Sequence, residues 1–194
     1  MHDTVPVEKH PLKPFLPSNA KLLMLGSFPP PRKRWCMEFF YPNRSNMMWE
    51  IFGEVFFNDS QRLVDKVNRS FKMEELKALL KERGIAIFDT ATAVQRLNGN
   101  ASDKDLLIVE KTDIASLLAI IPQCNDIVCT GQKSFSVLTE DYGVKVPKMG
   151  EYNEFTINGR QLRLWRMPSS SRAYPMPFKE KAAHYKRMMQ TVLI

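Results

Sequence analysis

Polar residues able to do chemistry are concentrated in four short segments of the chain. The first, residues 26–46, holds Gly26 and Ser27 in a GSFPPP turn, the rings of Phe28, Phe39, Phe40 and Tyr41, and finally Asn46, just before the apolar run MMWEIF. The second, 89–96, opens with Asp89 and ends with Arg96; the third, 130–133, carries Gly131, Gln132 and Lys133; the fourth, 167–174, carries Ser169, Ser170, Ser171, Arg172 and Tyr174. An asparagine amide is no useful general base near neutral pH, but its carbonyl oxygen can aim a water. Asn46 can equally be the N-cap of the helix that follows it. A carboxylate such as Asp89 accepts a ring N–H and repels a bare ring nitrogen, or else it is satisfied by backbone donors or by Arg96. Three serines beside an arginine can hold phosphate oxygens or form an inert polar loop. Gly131, Gln132 and Lys133 offer either a backbone and charge contact or an ordinary helix start. The turn at Gly26 has neither GxGxxG nor GxxxxGK[ST] spacing, which disfavours a nucleotide-phosphate loop.

The surrounding elements must bring these segments together. Residues 21–26 (KLLMLG) are a short apolar run stopped by glycine, the pattern of a strand buried on both faces at the centre of a parallel sheet. A helix is expected over 46–57 despite Gly53. An amphipathic helix over 72–83, punctuated by Gly84, leads to a second buried strand at 85–89. The order then repeats: a helix over 113–121, a strand at 126–130 and a helix over 131–140. Residues 152–166 read as a hairpin turning at Asn158 and Gly159, and a basic, Met-rich helix over 178–193 closes the chain. Alternating strands and helices imply a single α/β domain of three layers, α/β/α, around a central, mainly parallel four-stranded sheet with right-handed crossovers. In such sheets ligands bind beyond the carboxyl ends of the strands, where all four segments would converge. Residues 1–20, with Pro6, Pro11, Pro14 and Pro17, read as an extended leader to a domain at 21–194.

Composition narrows the class. A chain of 194 residues, 44% hydrophobic and 25% charged, buries one core and excludes extended disorder. No stretch approaches the roughly 18 apolar residues of a membrane span, and the N-terminus lacks the apolar core of a signal peptide, so a cytoplasmic protein is expected. Cys36, Cys124 and Cys129 are odd in number and without CxxC spacing, which suggests buried thiols rather than a disulfide framework or a zinc or iron–sulfur site. A formal charge of +7 is enough to attract a polyanion. Lys179, Lys181, Lys186 and Arg187 read as a solvated basic face of the last helix.

The same four segments carry a family resemblance. LLMLGSFPP followed by FYPNRSNMMW resembles the first motif of the hypoxanthine-DNA glycosylase branch of the uracil-DNA glycosylase superfamily. GIAIFDTA, IVCTGQKSF and MPSSSRAYP resemble its later motifs, in order, over about residues 21 to 190. The chain departs from the branch at Pro30, Met48 and Arg172-Ala173-Tyr174, and it lacks the GQDPYH and HPSP motifs of the best-known uracil enzymes. The resemblance implies hydrolysis of the N-glycosidic bond of a deaminated base in damaged DNA, with hypoxanthine favoured. It implies Asn46 as the residue that places the water. Gly26, Ser27, Phe28, Phe40, Tyr41 and Asp89 would bind the base, with Phe40 or Tyr41 stacking on it; the Gly131 to Lys133 turn and Ser169, Ser170, Ser171, Arg172 and Tyr174 would bind DNA. A monomer needing neither metal nor organic cofactor is expected. The alternatives are a uracil- or xanthine-directed enzyme of the same superfamily, or an inactive relative that only binds DNA.

Overall fold

Strands form where the apolar runs are shortest and most continuous, and helices where apolar residues recur on one face. The computed structural model describes residues 5–98 and 103–193, so the first four residues of the leader lie outside it. In chain order the elements are β1 (Val7–Lys9), β2 (Leu22–Gly26), α1 (Met48–Phe57), β3 (Val64–Asp65), β4 (Ser70–Phe71), α2 (Met73–Arg83), β5 (Ile85–Asp89), β6 (Ala91–Arg96), β7 (Leu106–Lys111), α3 (Ile114–Ile120), β8 (Asp126–Cys129), α4 (Gln132–Tyr142), β9 (Tyr152–Ile157), β10 (Arg160–Arg166) and α5 (Phe178–Leu193).

The central sheet has the order β5-β2-β8-β10-β9. Its first four strands are parallel, as expected, and β9 adds a fifth, antiparallel edge strand. That strand joins because Asn158 and Gly159, with φ of 48° and 80°, reverse the chain within two residues. The first connection leads from β2 to β5, and the next returns to β8 on the opposite side of β2. Right-handed crossovers therefore put α1 and α2 on one face and α3 and α4 on the other, giving three layers. The strand order reverses beside β2, and in sheets of this kind the carboxyl ends of the strands at such a point are where ligands bind.

A second, three-stranded antiparallel sheet, β1-β6-β7, lies outside the elements that the sequence pattern predicts. Its β6 has few large apolar residues and a bulged register, and β7 carries the apolar run LLIV although most of that strand faces solvent. Residues 7–15 pack onto the sheets: β1 pairs with β6, and Phe15 exchanges backbone hydrogen bonds with Ile87 of β5, at 3.0 and 2.9 Å. It thereby covers the outer edge of a strand that would otherwise expose unpaired backbone groups. The core is aromatic around the start of α1, where Phe39 stacks with Trp49 and meets Phe40 edge-on, while Trp49 meets Phe52. No helix among the described residues is long and apolar enough to cross a membrane.

Candidate active site

Asn46 sits in a turn closed by its own N–H donating to Asn43 O at 2.8 Å. Its Oδ1 accepts the Met48 N–H at 2.9 Å, so α1 starts at Met48, two residues later than expected, and Asn46 serves the helix start from outside it. A carbonyl oxygen has two lone pairs, and this hydrogen bond uses one. Nδ2 makes no hydrogen bond among the described residues. The serine loop lies alongside: Asn46 and Ser171 form an antiparallel bridge, and Met47 N–H donates to Ser170 O at 2.9 Å.

That loop is held from beneath. Tyr185 Oη donates to Pro168 O at 2.9 Å and Lys181 Nζ to Ser171 O at 2.6 Å, both from α5. Lys181 is therefore not on a solvated face; it is fully buried, with its ammonium over the Tyr174 ring. Burial, with Arg172 nearby, pushes that ammonium below the usual lysine range. Arg172 reaches both carboxylate oxygens of the buried Glu50, at 3.0 and 3.1 Å, so its charge is balanced from α1. Ser170 is only 2% exposed, whereas Ser169 and Ser171 are half-buried and accept backbone N–H groups of their own loop.

The second part of the site lies where β2 and β5 end in register at Gly26 and Asp89. Gly26 O accepts from Thr90 N at 2.9 Å, and Ser27 O accepts from Ala91 N at 3.3 Å. A Cβ on Gly26 would collide with Asp89 Oδ1, so glycine is what leaves the carboxylate its place. Asp89 is not partnered by Arg96, which instead engages Glu8 and Pro29 O. Its Oδ2 is 2.8 Å from His10 Nε2. The leader gave no sign of this, because the contact is made 79 residues away in sequence. Tyr41 Oη and Thr130 Oγ1 are 3.4 Å apart, so polar oxygens follow one another across the ends of β5, β2 and β8.

Tyr41 has φ of 49°, a left-handed conformation that costs a bulky residue about 1–3 kcal/mol and persists only where its surroundings impose it. The neighbouring backbone is tied on both sides, Trp49 Nε1 donating to Phe40 O at 3.1 Å and Cys36 N to Pro42 O at 2.9 Å. Phe40 is not an open stacking face: it is 3% exposed, enclosed by Phe39, Phe88 and His10. Phe28 and Tyr41 are the half-buried rings. Gly131 caps α4 in an extended conformation, Ser134 Oγ donates to its carbonyl, and Gln132 is exposed with Lys133 half-buried. Arg44 has no motif to mark it in the sequence; its Nη1 is buried without a hydrogen-bond partner among the described residues, and its guanidinium lies over Phe71.

A cavity of about 670 Å³ opens at the other, amino-terminal end of the strands. Three of its charged groups serve the fold: Asp126 binds Arg163 and Trp165 Nε1, and Arg160 caps carbonyls at the end of α3.

No protein-family model matches the chain, and no curated protein is significantly similar to it in sequence. Its fold is shared. The solution NMR structure of a candidate uracil DNA glycosylase from Methanosarcina acetivorans aligns with a TM-score of 0.64 at 19% identity, over 96% of this chain and 99% of that one.

Proposed function

We propose that this chain is a DNA glycosylase of the uracil-DNA glycosylase superfamily, acting in base excision repair on a deaminated base, with hypoxanthine favoured. The observation that supports it most is the meeting of Asn46 with the serine loop at the same end of the sheet as Gly26, Ser27 and Asp89. The shared fold supports it further.

Hydrolysis of an N-glycosidic bond passes through positive charge on the sugar and negative charge on the departing base. The water has to be aimed at the anomeric carbon, and the second lone pair of Asn46 Oδ1 is the group for that task. Because the first lone pair holds the helix start, the amide is fixed in orientation before substrate arrives. The nucleotide must leave the stack to reach it, and Tyr41 and Phe28 offer the partly open rings on which a flipped base can lie. Backbone N–H groups of the Ser27 turn face the leaving base. Ser169 and Ser171 hold the flanking phosphates, and Tyr174 or Met176 fills the gap in the stack.

Asp89 reads the base. Its carboxylate accepts the N1–H of hypoxanthine and repels the bare N1 of adenine. Uracil also carries a ring N–H, and the fold neighbour is a candidate uracil DNA glycosylase, which makes uracil the second reading. Base release from duplexes carrying hypoxanthine, uracil, xanthine or no lesion tests this directly, with native protein beside Asp89→Asn. Selective hypoxanthine release, with an altered preference in the variant, is expected. No release from any lesion while DNA binding persists would leave a binding-only relative and sink the proposal.

A further inference from the structure

His10 belongs to none of the four segments, and yet its side chain is only 4% exposed beside Asp89. Its ring packs against Phe28 at 5.2 Å and Phe88 at 4.6 Å between centroids. The backbone on either side is fixed, His10 N donating to Thr92 O at 2.8 Å and Phe15 bridging to Ile87. Nε2 lies 2.8 Å from Asp89 Oδ2, while Nδ1 lies 2.9 Å from Leu12 O and 3.1 Å from Leu12 N. A neutral ring accepts the Leu12 N–H, and an imidazolium donates to the Leu12 carbonyl. In both of these states Nε2–H donates to Asp89, whereas the neutral Nδ1–H tautomer would set a bare Nε2 lone pair 2.8 Å from a carboxylate oxygen, which repels it.

The consequence falls on the carboxylate. Oδ2 is held by His10, and Oδ1 makes no hydrogen bond among the described residues but extends over Gly26, where any Cβ would collide with it. An Asp89 able to turn, or to carry a proton on the oxygen facing the base, would present a donor as readily as an acceptor and would lose its discrimination between N–H and bare nitrogen. We infer that His10 is a positioning residue that locks Asp89 as a one-sided acceptor, so that the leader strand is part of the base-reading site. This rests on the base-reading role proposed for Asp89.

His10→Phe keeps an aromatic ring and removes the donor; His10→Gln returns a donor of similar reach. For hypoxanthine release, kcat/KM is expected to fall roughly 10- to 100-fold in His10→Phe, the range of a lost hydrogen bond to a charged group, and to recover in large part in His10→Gln. Affinity for a duplex containing an abasic site, which has no base to read, is expected to stay native in both. Native kcat/KM in His10→Phe, no recovery in His10→Gln, or a parallel loss of abasic-site binding would each overturn the inference while leaving the glycosylase reading intact. No release by the native protein would overturn that reading, and the inference with it. Should His10→Phe not fold, nitrogen NMR of the native imidazole decides: a protonated, hydrogen-bonded Nε2 is expected, and a bare Nε2 facing Asp89 would refute the inference.

Discussion

At the scale of single residues, the site depends on atoms that are held before any substrate is present. Asn46 Oδ1 is tied to Met48 N, Asp89 Oδ2 to His10, and the space around Asp89 Oδ1 is kept open by Gly26. Gly26→Ala tests that last point. The new methyl group meets the end of a flexible side chain rather than backbone, so Asp89 turns away and the fold survives. Misplacement on the order of 1 Å costs a catalytic arrangement roughly 10²-fold, and base release in Gly26→Ala is expected to fall by that order while the unfolding midpoint moves little. A lowered midpoint with native base release would contradict it. Much of this layer was legible in the sequence, because Gly26, Asn46 and Asp89 stand at strand and helix ends that apolar patterning marks. His10 was not. Nothing local distinguishes a histidine in a proline-spaced leader from a solvated one, and its value comes from a partner 79 residues away.

At the scale of elements, two helices set the serine loop. From α1 and the residue that caps it the loop takes the Glu50 carboxylate and Met47 N–H, and from α5 it takes Tyr185 Oη and Lys181 Nζ. Lys181→Met removes one hydrogen bond and also a buried ammonium with no carboxylate against it among the described residues, two effects of opposite sign. Stability is therefore expected to change by less than about 2 kcal/mol in urea unfolding, whereas DNA affinity at fixed salt falls because Ser171 is no longer tied. Native DNA affinity in Lys181→Met would show that the tie is irrelevant to function. The parallel strands and the Asn158–Gly159 hairpin could be read in advance, since continuous apolar runs and an Asn-Gly turn are local signals. The LLIV run of β7 is itself a strand signal, but the second sheet could not be assembled from it, because β6 lacks a regular apolar pattern and the pairing of β1 with β6 is long-range. For the same reason Lys181 looked like part of a basic surface: charge is visible in a sequence, and the carbonyl that buries it is not.

At the scale of the whole molecule, the buried acids of the core give stability a defined response to alkali. Burial pushes the thiols of Cys124 and Cys129 from 9.0 up to about 12, and the fully buried Tyr185 phenol well above 10.0. Each group binds its proton more tightly folded than unfolded, so its contribution is complete below the unfolded value and is lost as pH rises toward the folded one. Unfolding free energy is expected to decline from about pH 9 upward, by at most about 1.4 kcal/mol per pH unit for each titrating group, and the decline to flatten in Cys124→Ala/Cys129→Ala. An equal decline in that variant would place its origin elsewhere. The charge of +7 and the strand reversal beside β2 meet in the proposed function, that residues at the carboxyl end of the sheet hydrolyse a damaged base from DNA with Asn46 aiming the water. The most direct measurement is single-turnover base release from a hypoxanthine-containing duplex by native protein and by Asn46→Ala, after unfolding curves show that the variant has lost no more than the roughly 0.5–2 kcal/mol of a capping contact. Release by the native protein, reduced at least 100-fold in a folded Asn46→Ala that still binds the duplex, is the expected result. Release at the native rate by the folded variant would contradict the assignment of Asn46, and absence of release by the native protein would contradict the claim itself.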